Sequence, residues 1–94
     1  MGKREILVRK KIRVRNNQGL HVRPAALFVR LANKFNSDII LKRGRQRVNG
    51  KSITEVLILG CENGSEVELI AKGNDAVRAI RELSQLLSKE EPAP

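Results

Sequence analysis

Residues 5–33 read EILVRKKIRVRNNQGLHVRPAALFVRLAN, and within them the hydrophobic period changes from two to about 3.6. Ile6, Val8, Ile12 and Val14 share one face of an extended segment, while Arg9, Lys11, Arg13 and Arg15 occupy the other. That alternation predicts a half-buried strand with a charged outer face. Asn16, Asn17, Gln18 and Gly19 form a turn cluster. Beyond it Ala25, Phe28, Val29, Ala32 and Phe35 recur at helical spacing, which predicts an amphipathic helix from Val22 to about Asn33. A strand with one apolar face followed by a helix with one apolar stripe is the opening of a two-layer fold.

The remainder continues this pattern. DIILKRGRQRV, residues 38–48, reads as a hairpin with Ile39 and Leu41 inward and its turn near Gly44. SITEVLIL, residues 52–59, is a short apolar helix, and Ser52 with Glu55 three residues on is a capping box. Glu62, Asn63 and Gly64 make a turn. EVELIAK, residues 66–72, is a strand with Val67, Leu69 and Ala71 inward. NDAVRAIRELSQLLSK, residues 74–89, is a helix capped by Asn74 or Asp75 that turns Val77, Ile80, Leu83 and Leu87 inward. The order strand, helix, strand, strand, helix, strand, helix predicts an α+β open-faced sandwich, a four-stranded antiparallel sheet with three helices on one face. The uncovered face shows the basic side chains of the first strand, and Glu66 and Glu68 are their cross-strand partners if the first and last strands pair. One domain over 1–94 is expected, with its core over about 6–88 and a frayed tail over 89–94.

Composition bounds the function. No apolar run approaches the roughly 18 residues of a membrane span, and the charged N-terminus lacks a signal-peptide pattern, so a cytoplasmic protein without membrane insertion is expected. Cys61 is the only cysteine and His21 the only histidine, too few for a disulfide framework or a zinc site, so no metal is expected. Cys61 reads as a small, partly buried hydrophobe. The net charge is +9. Residues 1–47 hold 14 Lys and Arg against Glu5 and Asp38, and residues 48–94 hold 5 against 8 acids. A basic half suits an acidic partner, nucleic acid or an anionic surface. The chain has no Trp or Tyr, and both Phe fit the core pattern, which argues against nucleic acid.

GLHVRPA, residues 19–25, puts His21 just before the first helix and Pro24 near its first turn, where a missing N–H is harmless. Amides at a helix start attract anions, and the Arg23 guanidinium has a fork suited to phosphate oxygens. A neutral imidazole is a competent nucleophile toward a phosphoryl donor. Spacing alone leaves two roles open, phosphoryl acceptor and helix cap.

GLHVRPA also resembles the active-site signature of the HPr family, the histidine-containing phosphocarriers of the bacterial phosphoenolpyruvate-dependent phosphotransferase system. VNGKSITEVLILG, residues 48–60, looks like the family's second signature, and GSEVELIAKGND, residues 64–75, its last strand and turn. The resemblance implies that His21 takes phosphate from enzyme I on Nδ1, as a pros-phosphohistidine, and passes it to the A components of sugar permeases. It implies that Arg23 assists and that Ser52 is the site of an HPr serine kinase, a role compatible with capping. It implies a carrier and not an enzyme, a monomer, and no cofactor. A nitrogen-type or Ser52-phosphorylated regulatory relay is the alternative. Ala26, Leu27, Ile53 and Leu57 are expected to form an apolar docking patch. Thr54 and Glu55 depart from the methionine and glycine common in Gram-positive members.

Overall fold

The computed structural model describes residues 5–15 and 22–89. The turn cluster 16–19, His21 and the tail 90–94 lie outside the described residues. The elements are β1 (Ile6–Arg13), α1 (Val22–Ala32), β2 (Asp38–Arg43), β3 (Gln46–Asn49), α2 (Ile53–Leu59), β4 (Glu66–Gly73) and α3 (Ala76–Ser88). Both the order and the type of every element agree with the sequence reading. The sheet is antiparallel in the order β1-β4-β2-β3. β1 pairs with β4 from Ile6 opposite Gly73 to Arg13 opposite Glu66, so Lys11 faces Glu68 as the charge pattern anticipated.

Alternation along each strand sends one set of side chains under the helices. Ile12 and Val14, Ile39 and Leu41, and Val67, Leu69 and Ala71 are buried there with Phe28, Val56, Leu59, Leu83 and Leu87. α3 packs over β1 and β4, and α1 packs against α2 and α3. Ile6 is exposed despite its parity, because it opens β1 at the sheet margin. Val77 is also a correction. It is exposed, because α3 turns Ala76, Ala79, Ile80, Leu83 and Leu87 inward, and Val77 stands about 100° around the helix from Ala76.

One polar node locks the end of β4 to the start of β2. Asp75 is the first residue before α3, yet its carboxylate makes no cap bond to that helix. It accepts instead from the Asn36 and Ser37 amides at 2.9 Å each, and from the Ser37 hydroxyl. Ser37 is 1% exposed. Gly73, at φ +151°, permits this approach, since a Cβ there would lie 2.7 Å from Ser37 Cα. The Ser37 hydroxyl, then the Asn36 amide, hold the Asp75 carboxyl below its ordinary value. A carboxyl whose folded pKa is depressed stabilises the fold above its unfolded pKa, and that contribution disappears as pH falls through the folded pKa. Asp75→Ala orphans buried donors on Ser37 and should lower stability by about 2–4 kcal/mol at neutral pH. The gap to the parent should shrink once the pH is taken well below about 3.9, the unfolded aspartate value. Urea unfolding across that range checks both, and a gap independent of pH refutes the charge contribution.

Candidate functional site

α1 begins at Val22, directly after His21 in the chain. Pro24 sits in the first turn and is buried, where its fixed φ suits the helix and its missing N–H removes no bond. Ala25, Phe28 and Ala32 continue the inward stripe. That phase leaves Arg23 exposed, Ala26 half-buried, Leu27 46% exposed and Val22 67% exposed. No acidic residue lies in the first turn, so nothing on that turn competes with an anion for the helix-end amides or for Arg23.

Ser52 is the N-cap of α2. Its Oγ accepts from the Glu55 amide at 3.3 Å, and its carbonyl accepts from Val56 at 3.0 Å. The predicted capping box is only half formed. The Ser52 amide already donates to the Asn49 carbonyl at 3.1 Å, and Glu55 Oε1 instead accepts from the Asn49 amide at 3.0 Å. Glu55 thereby ties α2 to the end of β3. Lys51 and Asn33 add to this junction: Lys51 Nζ donates to the Phe35 carbonyl at 2.7 Å, and Asn33 Nδ2 to the Val29 and Lys51 carbonyls.

α1 and α2 are neighbours, so the four predicted patch residues stand on two packed helices. Ile53 and Leu57 are half-buried and pack against the core, while Leu27 is the outward member. Two further exposed apolar residues stand on these helices outside the four expected patch residues. Ile58 is 66% exposed because Val56 and Leu59 set the inward side of α2, and Val22 opens α1. The helical phase of Val56 and Leu59 was the available signal for Ile58. Arg43 carried no signal at all: its Nη1 donates to the Leu59 and Gly60 carbonyls at 3.0 and 2.8 Å, closing the C-terminus of α2 beside the left-handed Gly60.

Cys61 is buried, and burial pushes its thiol up against a smaller opposing pull from Arg43, so it is held in the neutral, unreactive form. Among the described residues there is no group of three or more His, Cys, Asp or Glu able to hold a metal ion. Among them also, no helix is long and apolar enough to cross a membrane.

A family model described as the PTS HPr component phosphorylation site matches residues 8–89. The HPr-like protein Crh of Bacillus subtilis (strain 168) is 43% identical over 84 residues, covering 89% of this chain and 99% of that protein. A crystal structure of Crh as a domain-swapped dimer has a TM-score of 0.73 at 42% identity over 92% of this chain and 99% of that one. The phosphocarrier protein HPr of Treponema pallidum (strain Nichols) is also 43% identical over 84 residues, 89% of this chain and 96% of that protein. HPr from Bacillus anthracis str. Ames has a TM-score of 0.84 at 37% identity, over 86% of this chain and 96% of that one. The antiparallel βαββαβα sandwich and the match over residues 8–89 define a phosphocarrier class. The chain belongs to the HPr family.

Proposed function

We propose that this protein carries a phosphoryl group on Nδ1 of His21, accepting it from enzyme I charged by phosphoenolpyruvate and passing it to the A components of sugar permeases. One observation supports the reading: GLHVRPA, which resembles the HPr active-site signature and lies within the matched residues 8–89, runs into the first turn of α1, where Arg23 is exposed and that turn carries no acidic residue. The imidazole nitrogen forms the bond to phosphorus as the donor's bond breaks. Arg23 steadies the phosphoryl oxygens through charge-assisted hydrogen bonds. Ala26, Leu27, Ile53 and Leu57 meet the partner proteins. The protein acts as a cytoplasmic carrier and not as an enzyme, without metal, cofactor or nucleic acid, and as a monomer; light scattering distinguishes that state from a swapped dimer such as that of Crh.

A regulatory relay is the second reading, favoured by the similarity to Crh, the Bacillus subtilis catabolite repression HPr. In it Ser52 is phosphorylated by an HPr serine kinase. The test of the main reading is incubation with phosphoenolpyruvate and the native enzyme I, followed by intact mass. One added phosphoryl group, labile to acid and stable to base, is expected; an acid-stable adduct refutes it.

Arg23→Ala should slow this phosphorylation by about tenfold or more, since a charge-assisted contact is worth about 1.5–3 kcal/mol. Its melting temperature should stay close to the parent's, because the side chain is exposed. Unchanged transfer kinetics would make Arg23 an ordinary surface charge.

A further inference from the structure

The face of the sheet that the helices leave open is rich in cations. Arg9, Lys11 and Arg13 of β1 project there, with Lys42 of β2, Arg47 of β3 and Lys72 of β4. Asp38, Glu66 and Glu68 share the face, and the two glutamates lie on β4, inside the basic margins. Arg13 donates to the Gly64 carbonyl and Lys72 pairs with Glu5. Among the described residues, Arg9, Lys11, Lys42 and Arg47 have no ion pair within 4.0 Å.

Lys42 and Arg47 are direct cross-strand partners. Like charges in that position cost stability, and Arg45 in the adjoining turn adds a further cation to the same hairpin. A row runs from Lys11 through Glu68 to Lys42 and Arg47, and a shallow depression opens between Lys11, Lys42, Glu66 and Glu68. Leu7, 53% exposed, stands on the same face opposite Lys72. A fold that keeps such repulsion in place retains a surface complementary to negative charge.

We propose that this open sheet face docks the protein on a bilayer surface rich in anionic lipid headgroups. The broad four-stranded face can lie flat on such a surface, and long Lys and Arg side chains can reach headgroups from around Ile40 and the buried Ile70. Lipids in a fluid bilayer are free to gather beneath the basic margins and to leave neutral headgroups beneath Glu66 and Glu68. A nucleic-acid duplex holds its phosphates at fixed places. The face also offers no aromatic ring for unpaired bases, since Phe28 and Phe35 are both buried. Docking by this face leaves Val22, Arg23, Leu27 and Ile58 on the helical layer free for other proteins.

The test is cosedimentation with vesicles of phosphatidylcholine containing one quarter phosphatidylglycerol, at low salt. Binding is expected there and not to pure phosphatidylcholine, and it should vanish near 1 M salt, where the screening length falls to about 3 Å. The triple variant Lys11→Gln, Lys42→Gln, Arg47→Gln should bind about a hundredfold more weakly, roughly fivefold per cation. A control with the same charge loss on the helical side, Arg30→Gln, Lys34→Gln, Arg81→Gln, should lose only a fewfold. The control should keep the parent's melting temperature, and the triple variant, relieved of the Lys42–Arg47 repulsion, should melt no lower than the parent. Inorganic phosphate at constant ionic strength should not displace the protein. Equal losses in the two variants, no binding by the parent, displacement by phosphate, or tighter binding to duplex DNA that depends on the same three cations each overturn the proposal.

Discussion

The His21→Ala chain is expected to take up no phosphoryl group from phosphoenolpyruvate and enzyme I, while remaining folded. His21 is the only histidine, so the variant has no imidazole left to take its place. Cys61 is buried and held neutral, and the Ser52 hydroxyl is a weak nucleophile that needs an activating base, the part its own kinase would supply. Arg23 has no nucleophilic lone pair at neutral pH. The fold does not depend on the ring, because α1 is anchored by Pro24, Ala25, Phe28 and Ala32. If His21 also serves as a cap, its loss costs only about 0.5–2 kcal/mol. Intact mass and circular dichroism on the same sample separate the two effects. A folded variant that still acquires the phosphoryl group would place the acceptor elsewhere and sink the proposed function.

The fold was legible because its elements speak through period. The alternation Ile12, Val14 and the stripe Ala25, Phe28, Ala32 each fix a buried face with no knowledge of the partner. Charge was consistent with a pairing of β1 with β4 without fixing it, and the structure sets Lys11 opposite Glu68 and Arg13 opposite Glu66. Contacts between distant segments left no such trace. Arg43 closing α2 and Asp75 binding Ser37 are long-range hydrogen bonds, and nothing in the local sequence separates them from solvated charges. Lys10 shows the limit of a binary pattern. It shares the parity of Ile12 and Val14, and its ammonium reaches across to the Ser84 hydroxyl on α3 at 3.5 Å. At the site, the motif pointed to His21 through resemblance alone, whereas the outward position of Ile58 required the exact phase of α2.

Ser52→Asp is expected to raise the apparent KM of enzyme I for this protein about tenfold with little change in maximal rate. The same antagonism would follow phosphorylation of Ser52, which brings about −1.5 to −2 charges. The substituted carboxylate remains a good N-cap, so the Glu55 amide keeps an acceptor and the domain keeps its melting temperature. What changes is the charge. Glu55 lies one turn on, with its own carboxylate bound to the Asn49 amide, and a second negative group beside it weakens that tie between β3 and α2. Ile53 and Leu57 follow directly on the same helix, so the added charge borders the apolar surface proposed to meet enzyme I. A tenfold change in affinity is about 1.4 kcal/mol, within the cost of placing a charge against an apolar or acidic partner surface. Two further variants separate charge from capping. Ser52→Asn keeps a capping oxygen without charge and should be phosphorylated like the parent. Ser52→Ala loses the cap, costs about 1 kcal/mol of stability, and should leave the KM far less affected than Ser52→Asp does. If the Asp variant is phosphorylated as fast as the parent at every enzyme I concentration, Ser52 acts only as the cap of α2.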